Sequence, residues 1–356
     1  MKRNEWLSRA ECAALRGLAI LGIMLHNYCH WLALAVKENE YTFNMGKSRG
    51  LWYVITHPDA NLPVHIVSYF GHYGVPVFLF LSGFGLVMKY EQNATPGRTG
   101  TGNEATAWQF IRHHYAKLFT MMAAGFAFFA LVDRLTPGAF RFHADNIIAQ
   151  LLMLINLLPR PDRIIWPGPY WFFGLMMQLY IVYRLVLYRR SWRVAVALVA
   201  VCWLMQALCE PTDEALNRLR YNCIGGMLPF CAGVLLARTE PSAVLQRMAR
   251  WHWTVAFLVI AAVAVAFCFS FQTWLWVPLL MVAASVAAVK SLPDGLLTPL
   301  VWTGGISAAM FVTHPTVRKV FIPISRRGDT YDGLVLYIVV AVAVAWMFNK
   351  LIKHKS

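Results

Sequence analysis

The sequence predicts an all-α membrane protein: a polytopic bundle of about ten transmembrane helices with both termini cytoplasmic. Three observations lead there. Hydrophobic residues make up 58% of the 356 and charged residues only 14%, whereas soluble domains carry about 25% charged residues. The apolar residues come in long blocks separated by short charged connections. Such blocks must be helical, because a lone strand leaves its backbone unpaired in lipid. With the N-terminus inside, alternate connections hold 18 Lys and Arg on the cytoplasmic side against 13 outside, as the positive-inside rule requires.

The ten predicted spans are 12–35, 64–88, 110–132, 169–188, 194–209, 221–238, 253–271, 273–289, 299–316 and 333–351. The run after the charged segment Met1–Glu11 is longer than the core of a cleavable signal and carries Arg16 and His26, so it is expected to remain as the first span. Residues 146–158 are too short to cross and predict an interfacial or re-entrant helix. The last span ends near Leu351, which predicts a single membrane domain over 1–356 without an appended soluble domain. The formal charge of +15 is accounted for by topology and anionic lipid, without nucleic acid. Seven cysteines lie in or beside spans and form no C-x-x-C pair, so they read as apolar packing residues.

Within Cys12–Val36 the only strongly polar side chains are Arg16, His26, Asn27 and His30. An Arg at that depth costs roughly 2.5–3.5 kcal/mol on insertion scales, which makes the first span the leading candidate for a reaction or transport centre.

Four stretches then fall into a recognisable order: L-R-G-L-A-I-L-G-I-M-L-H (15–26), G-V-P-V-F-L-F-L-S-G-F (74–84), P-Y-W-F-F-G-L-M-M-Q-L-Y (169–180) and I-S-A-A-M-F-V-T-H-P (306–315). In that order the chain resembles the acyltransferase 3 family of bacterial membrane O-acyltransferases over nearly its whole length. The resemblance implies a ten-span fold of the inner membrane. It also implies transfer of an acyl group, commonly acetyl, from cytoplasmic acyl-CoA to a hydroxyl of an envelope glycan, a lipid-linked sugar or a small molecule. Acyl-CoA is then the donor co-substrate and no metal is required. Two patterns depart from the family. Nine residues, not ten, separate Arg16 from His26, which turns the two about 80° apart on an ideal helix and puts Asn27 in the aligned slot. Either a π-bulge restores the register or the two residues serve different parts of a wide cavity. The usual R-x-x-R before the third span is replaced by His114-x-x-Lys117, preceded by Arg112.

The chemistry assigns roles along the first span. His26 lies about 20 Å from its cytoplasmic end at 1.5 Å per residue, in the outer half. His72 begins the second span at that level and His314 closes the ninth. A His kept neutral by low dielectric suits the base that deprotonates an attacking hydroxyl, so His26 is the candidate catalytic base. Arg16, nearer the cytoplasm, is the second candidate catalytic residue and the candidate group for CoA phosphates or pantetheine amide oxygens, with Arg112, His114 and Lys117 at the mouth. Asn27, His30, His72, Ser82, Gln178 and His314 are candidate substrate contacts.

Bland readings stand beside these. His26 serves equally as a buried hydrogen-bonding group, and Arg16 as a snorkelling anchor. His26-x-x-x-His30 has a zinc-ligand spacing but lacks the Glu of H-E-x-x-H. Ser82 and Gly83 read as close helix packing, Gln178 as interhelical glue, and His314 before Pro315 as a span break. Trp166 and Trp171 read as belt residues. The outer loop 36–62, with Glu38, Glu40, Tyr41 and Trp52, reads as a lid or acceptor surface, or as packing. Basic residues in 318–332 hint at an anionic acceptor. Residues 91–104 read as a flexible loop without phosphate-binding character. A transporter or flippase of an envelope precursor is the alternative class, although no inverted repeat is visible. A scaffold leaves Arg16 and His26 unexplained, and oligomeric state stays open.

Overall fold

In a computed structural model of the chain, residues 6–92 and 106–353 are described, and every regular element among them is helical. The helices are α1 (Arg9–Cys29), α2 (Met45–Thr56), α3 (Leu62–Phe70), α4 (Gly74–Val87), α5 (Ala107–Leu135), α6 (Ala144–Leu151), α7 (Pro161–Ile164), α8 (Trp171–Val182) and α9 (Trp192–Ala207). They continue as α10 (Glu214–Tyr221), α11 (Cys223–Ala237), α12 (Ala243–Gln246), α13 (Arg250–Phe267), α14 (Phe271–Trp274), α15 (Val277–Ser291), α16 (Asp294–Gly305), α17 (Ser307–Arg326) and α18 (Thr330–Lys353). Most of the predicted loop 91–104 lies outside the described residues.

Among the described residues, six stretches are long and apolar enough to cross a membrane, and eight if the bent pairs α10–α11 and α16–α17 each count as one. Two shorter apolar helices, α9 and α15, stand where the fifth and eighth spans were predicted. The predicted interfacial segment is the eight-residue α6 followed by a short turn at Ile155–Leu157. At about 12 Å, α6 is too short to cross.

Local chemistry sets the helix starts. Ser8 Oγ accepts from Glu11 N–H at 3.1 Å while the Glu11 carboxylate accepts from Ser8 N–H at 2.7 Å, a capping box that opens α1. Thr106 and Gln109 open α5 in the same way. Close helix approach relies on missing Cβ atoms. A Cβ on Gly83 would lie 2.2 Å from the Phe230 carbonyl oxygen, and one on Gly233 2.0 Å from that of Phe80. Gly83 is therefore a contact surface between α4 and α11, and the packing reading of the Ser82-Gly83 pair holds for the glycine.

Two expectations are corrected. The ninth span is not one helix ending at His314-Pro315. Its break lies at Gly305–Ile306, where α16 and α17 meet at 75°. α17 then continues through Pro315 and Pro323 to Arg326, so His314 lies within it. A proline removes one backbone donor, but a packed helix tolerates that when its neighbours hold it in place. Residues 318–326 are consequently helical and not loop, and Arg318 is buried.

The loop 36–62, predicted to lie outside, is packed onto the bundle. Trp274 Nε1 donates to the Asn39 carbonyl at 3.0 Å, Arg220 Nε to that of Glu40 at 2.8 Å, and Phe43 N–H to that of Pro211 at 2.7 Å. These bonds satisfy loop carbonyls that would otherwise be buried unpaired. They also hold the carboxylate pair Glu38 and Glu40 over the C-terminal end of α1.

Candidate active site

α1 runs as an uninterrupted α-helix from Arg9 to Cys29, so no π-bulge restores the Arg16–His26 register. Arg16 is exposed whereas His26 is 4% exposed. Ten positions of rise separate them by about 15 Å along the axis. They occupy different environments, and Arg16 is not among the residues that line the cavity at His26.

His26 is oriented by the second span. Its Nδ1 lies 2.8 Å from the Ser68 carbonyl oxygen, which can only accept, so Nδ1 carries the proton and Nε2 keeps its lone pair. Nε2 lies 3.9 Å from Glu40 Oε2. The approach of α1 to the Gly71–Tyr73 turn depends on Gly71, where a Cβ would lie 2.7 Å from His26 Cβ and 2.5 Å from the Gly22 carbonyl oxygen. That contact brings the His72 ring to 5.3 Å from His26, with the His30 ring at 5.2 Å.

These rings open on a cavity of about 90 Å³ lined by His26, Asn27, His30, His72, Glu40 and Arg318, with aromatic walls from Tyr41, Trp171 and Phe172. The structure thus brings together four of the sequence candidates: His26, Asn27, His30 and His72. Trp166 and Trp171 also line the cavity. His314 is fully buried beside it, with Nδ1 3.3 Å from the Tyr337 hydroxyl and Nε2 unpartnered. It bonds no carbonyl freed by Pro315. Both ring nitrogens of His72 are buried and unpartnered, an arrangement that costs stability unless a ligand or water completes it.

Other candidates lie elsewhere. The Gln178 amide donates to Asn222 Oδ1 at 2.8 Å and accepts from Cys223 N–H at 2.9 Å, which ties α8 to α11. Ser82 Oγ donates to the Phe78 carbonyl at 2.7 Å, one turn back on its own helix. Arg112 and Lys117 are exposed on α5. His114 is buried between them, with Nε2 3.2 Å from the Tyr90 hydroxyl and its ring 4.4 Å from that of Tyr180.

Sequence reasoning treated Glu38 and Glu40 as lid composition, Arg318 as loop charge, and Asp162, which also lines the cavity, not at all. The signal available was two carboxylates directly after a His-bearing span. Glu38 pairs with His30 at 3.1 Å. Burial alone would raise the Glu38 carboxyl. The His30 hydrogen bond and the neighbouring imidazoles outweigh it and hold the group below the usual carboxylate range. Glu40 moves the other way, because burial and the Glu38 charge both favour its protonated form. Two adjacent carboxyls are thereby pushed apart, a pattern typical of functional sites. The potential ligand atoms of His26, His30 and Glu38 lie within 4.8 Å of one another, a set able to approach a cation. Glu38 already has His30 as its partner.

A protected, lone-pair-bearing imidazole in a small polar cavity can take a proton from a hydroxyl held against it. The acyltransferase 3 family model, described as an acyltransferase domain, matches residues 11–350. No curated protein and no solved structure matches the chain.

Proposed function

The chain belongs to the acyltransferase 3 family, and from that membership we propose that it is an O-acetyltransferase of the bacterial inner membrane. In this reading it moves acetyl from cytoplasmic acetyl-CoA to a hydroxyl of an envelope glycan or lipid-linked sugar, and both termini are cytoplasmic. Family membership and the apolar helices make it a membrane acyltransferase. The finer reading rests chiefly on one observation: the Ser68 carbonyl fixes the His26 tautomer so that Nε2 faces the cavity as a proton acceptor.

The acceptor hydroxyl lies against His26 Nε2, which takes its proton as the oxygen attacks the thioester carbonyl carbon. A C–O bond forms and the C–S bond breaks. The departing CoA sulfur takes the proton back from the imidazolium, leaving CoA thiol and neutral His26. A cavity of about 90 Å³ has room for a two-carbon acyl group beside a hydroxyl and so accommodates acetyl. On the donor side, Arg16 is exposed and no ion pair holds it among the described residues. With exposed Arg112 and Lys117 it supplies cationic donors for CoA phosphates.

The test uses purified protein in lipid nanodiscs, labelled acetyl-CoA and envelope extract, comparing wild type with His26→Gln. Loss of a general base lowers the rate by roughly 10²–10⁴-fold, while CoA binding should persist. Equal transfer by both proteins removes His26 as the base. Absence of both transfer and CoA binding in the wild type moves the reading to a transporter.

A further inference from the structure

Arg318 is 4% exposed, yet its charge meets no carboxylate within ion-pair distance among the described residues. Its Nη1 donates to the Asn27 carbonyl oxygen at 3.0 Å and approaches Asn27 Oδ1 at 3.5 Å. The guanidinium carbon lies 4.9 Å from the Trp166 ring and 5.4 Å from that of Trp31. Carbonyl and ring contacts stabilise a cation only in part, and a buried guanidinium without a counter-charge is costly. The adjacent Lys319 shows the satisfied alternative, because it ion-pairs with the buried Asp133.

Arg318, Trp31 and Trp166 also form the wall between the reaction cavity and a second, larger one of about 390 Å³. The second cavity adds Arg326, whose Nη2 donates to the Trp31 carbonyl at 3.4 Å, the Lys319–Asp133 ion pair, which neutralises the carboxylate there, and an apolar side built from Phe129, Phe140 and Ile322. Cations, flat aromatic rings and an apolar wall thus converge on one passage that ends at His26.

Building on the acetyltransferase reading, we propose that this outer cavity binds the acceptor and selects one carrying an anionic phosphate or carboxylate. Arg318 and Arg326 hold the anionic oxygens, Trp31 and Trp166 flank the sugar ring, and the hydroxyl to be acylated reaches Nε2. The guanidinium fork suits either oxyanion by paired hydrogen bonds.

The test measures equilibrium binding in nanodiscs of neutral lipid, so it does not depend on turnover. Probes are octyl β-D-glucuronide, dodecyl phosphate and uncharged octyl β-D-glucoside. The expected result is that at least one anionic probe binds on the order of tenfold tighter than the glucoside, with a preference that weakens in salt. Arg326→Gln, on the exposed last turn of α17, should remove much of that preference, and Arg318→Gln all of it, while His26→Gln leaves it intact. The glucuronide arm identifies an acidic sugar and the phosphate arm a lipid-borne phosphate. Equal binding of charged and neutral probes, or a preference unchanged in Arg326→Gln and Arg318→Gln alike, overturns the proposal. Displacement of both anionic probes by phosphatidylglycerol at comparable concentration does so too, because the site then serves membrane headgroups. Selective binding without acetyl transfer would leave this site standing and remove the acetyltransferase reading.

Discussion

Gly71→Ala is the sharpest geometric test of the candidate site, because it alters only the distance between two backbones. Gly71 has an ordinary φ of −64°, so alanine brings no backbone strain. What it brings is a methyl group 2.5 Å from the Gly22 carbonyl oxygen and 2.7 Å from His26 Cβ, where normal contact begins near 3.4 Å. The turn and α1 must therefore separate by roughly 0.9 Å, and no side-chain rotation relieves the Gly22 side. Overpacking of this kind costs about 1–3 kcal/mol. A displacement near 1 Å at a reacting group costs about 10²-fold in rate. Both effects should appear together: a lowered thermal midpoint and a kcat reduced about a hundredfold at saturating acetyl-CoA. Gly85→Ala is the control, since nothing lies within 4 Å of its new methyl. Alanine there should be neutral or stabilising by up to about 1 kcal/mol. A Gly71→Ala protein with wild-type kcat would refute the claim that this contact sets the position of His26.

Glu40→Gln should stabilise the fold at neutral and alkaline pH but not at low pH. A carboxyl whose folded pKa is raised leaves the unfolded state to ionise first, so wild type loses stability as pH rises past the ordinary carboxylate value; a midpoint difference independent of pH would contradict this. Gln178→Ala should cost about 1–3 kcal/mol, because the Asn222 side chain and the Cys223 N–H each lose a partner, with acceptor KM unchanged; a raised KM and normal stability would return Gln178 to the substrate contacts. Arg112→Gln combined with Lys117→Gln should raise the KM for acetyl-CoA, most at low salt, with little change in kcat; a donor KM that stays at the wild-type value at every salt concentration would detach this pair from the donor mouth.

Much of the fold was legible because a bilayer makes composition nearly decisive: long apolar blocks must be helices, and each predicted span coincides with a helix, a helix pair or a short apolar helix. The ninth span was misread for a physical reason. A proline suggests a break when the local hydrogen bond is considered alone. In a packed bundle, though, α17 carries Pro315 and Pro323 without ending, and the 75° bend falls at Gly305–Ile306 instead. Only the tertiary contacts of α17 with α18, α5 and α1 reveal that.

The candidate site was half legible, and the boundary follows the kind of interaction. Imidazoles in an apolar helix are conspicuous in one dimension, so His26, Asn27, His30 and His72 could be read directly. Glu40 and Arg318 look like ordinary loop charges until the chain folds over them, because their importance lies in approach and burial. The Arg16–His26 spacing shows the same limit. On an unbroken helix the two residues cannot share a face, and the structure keeps them apart: Arg16 exposed, His26 enclosed. The cation that does reach the imidazole cavity comes from α17, nearly three hundred residues further along. A one-residue change in spacing therefore need not disable such a site. It leaves Arg16 exposed and away from His26, while the buried Arg318, which has no carboxylate partner among the described residues, brings positive charge to the imidazole cavity.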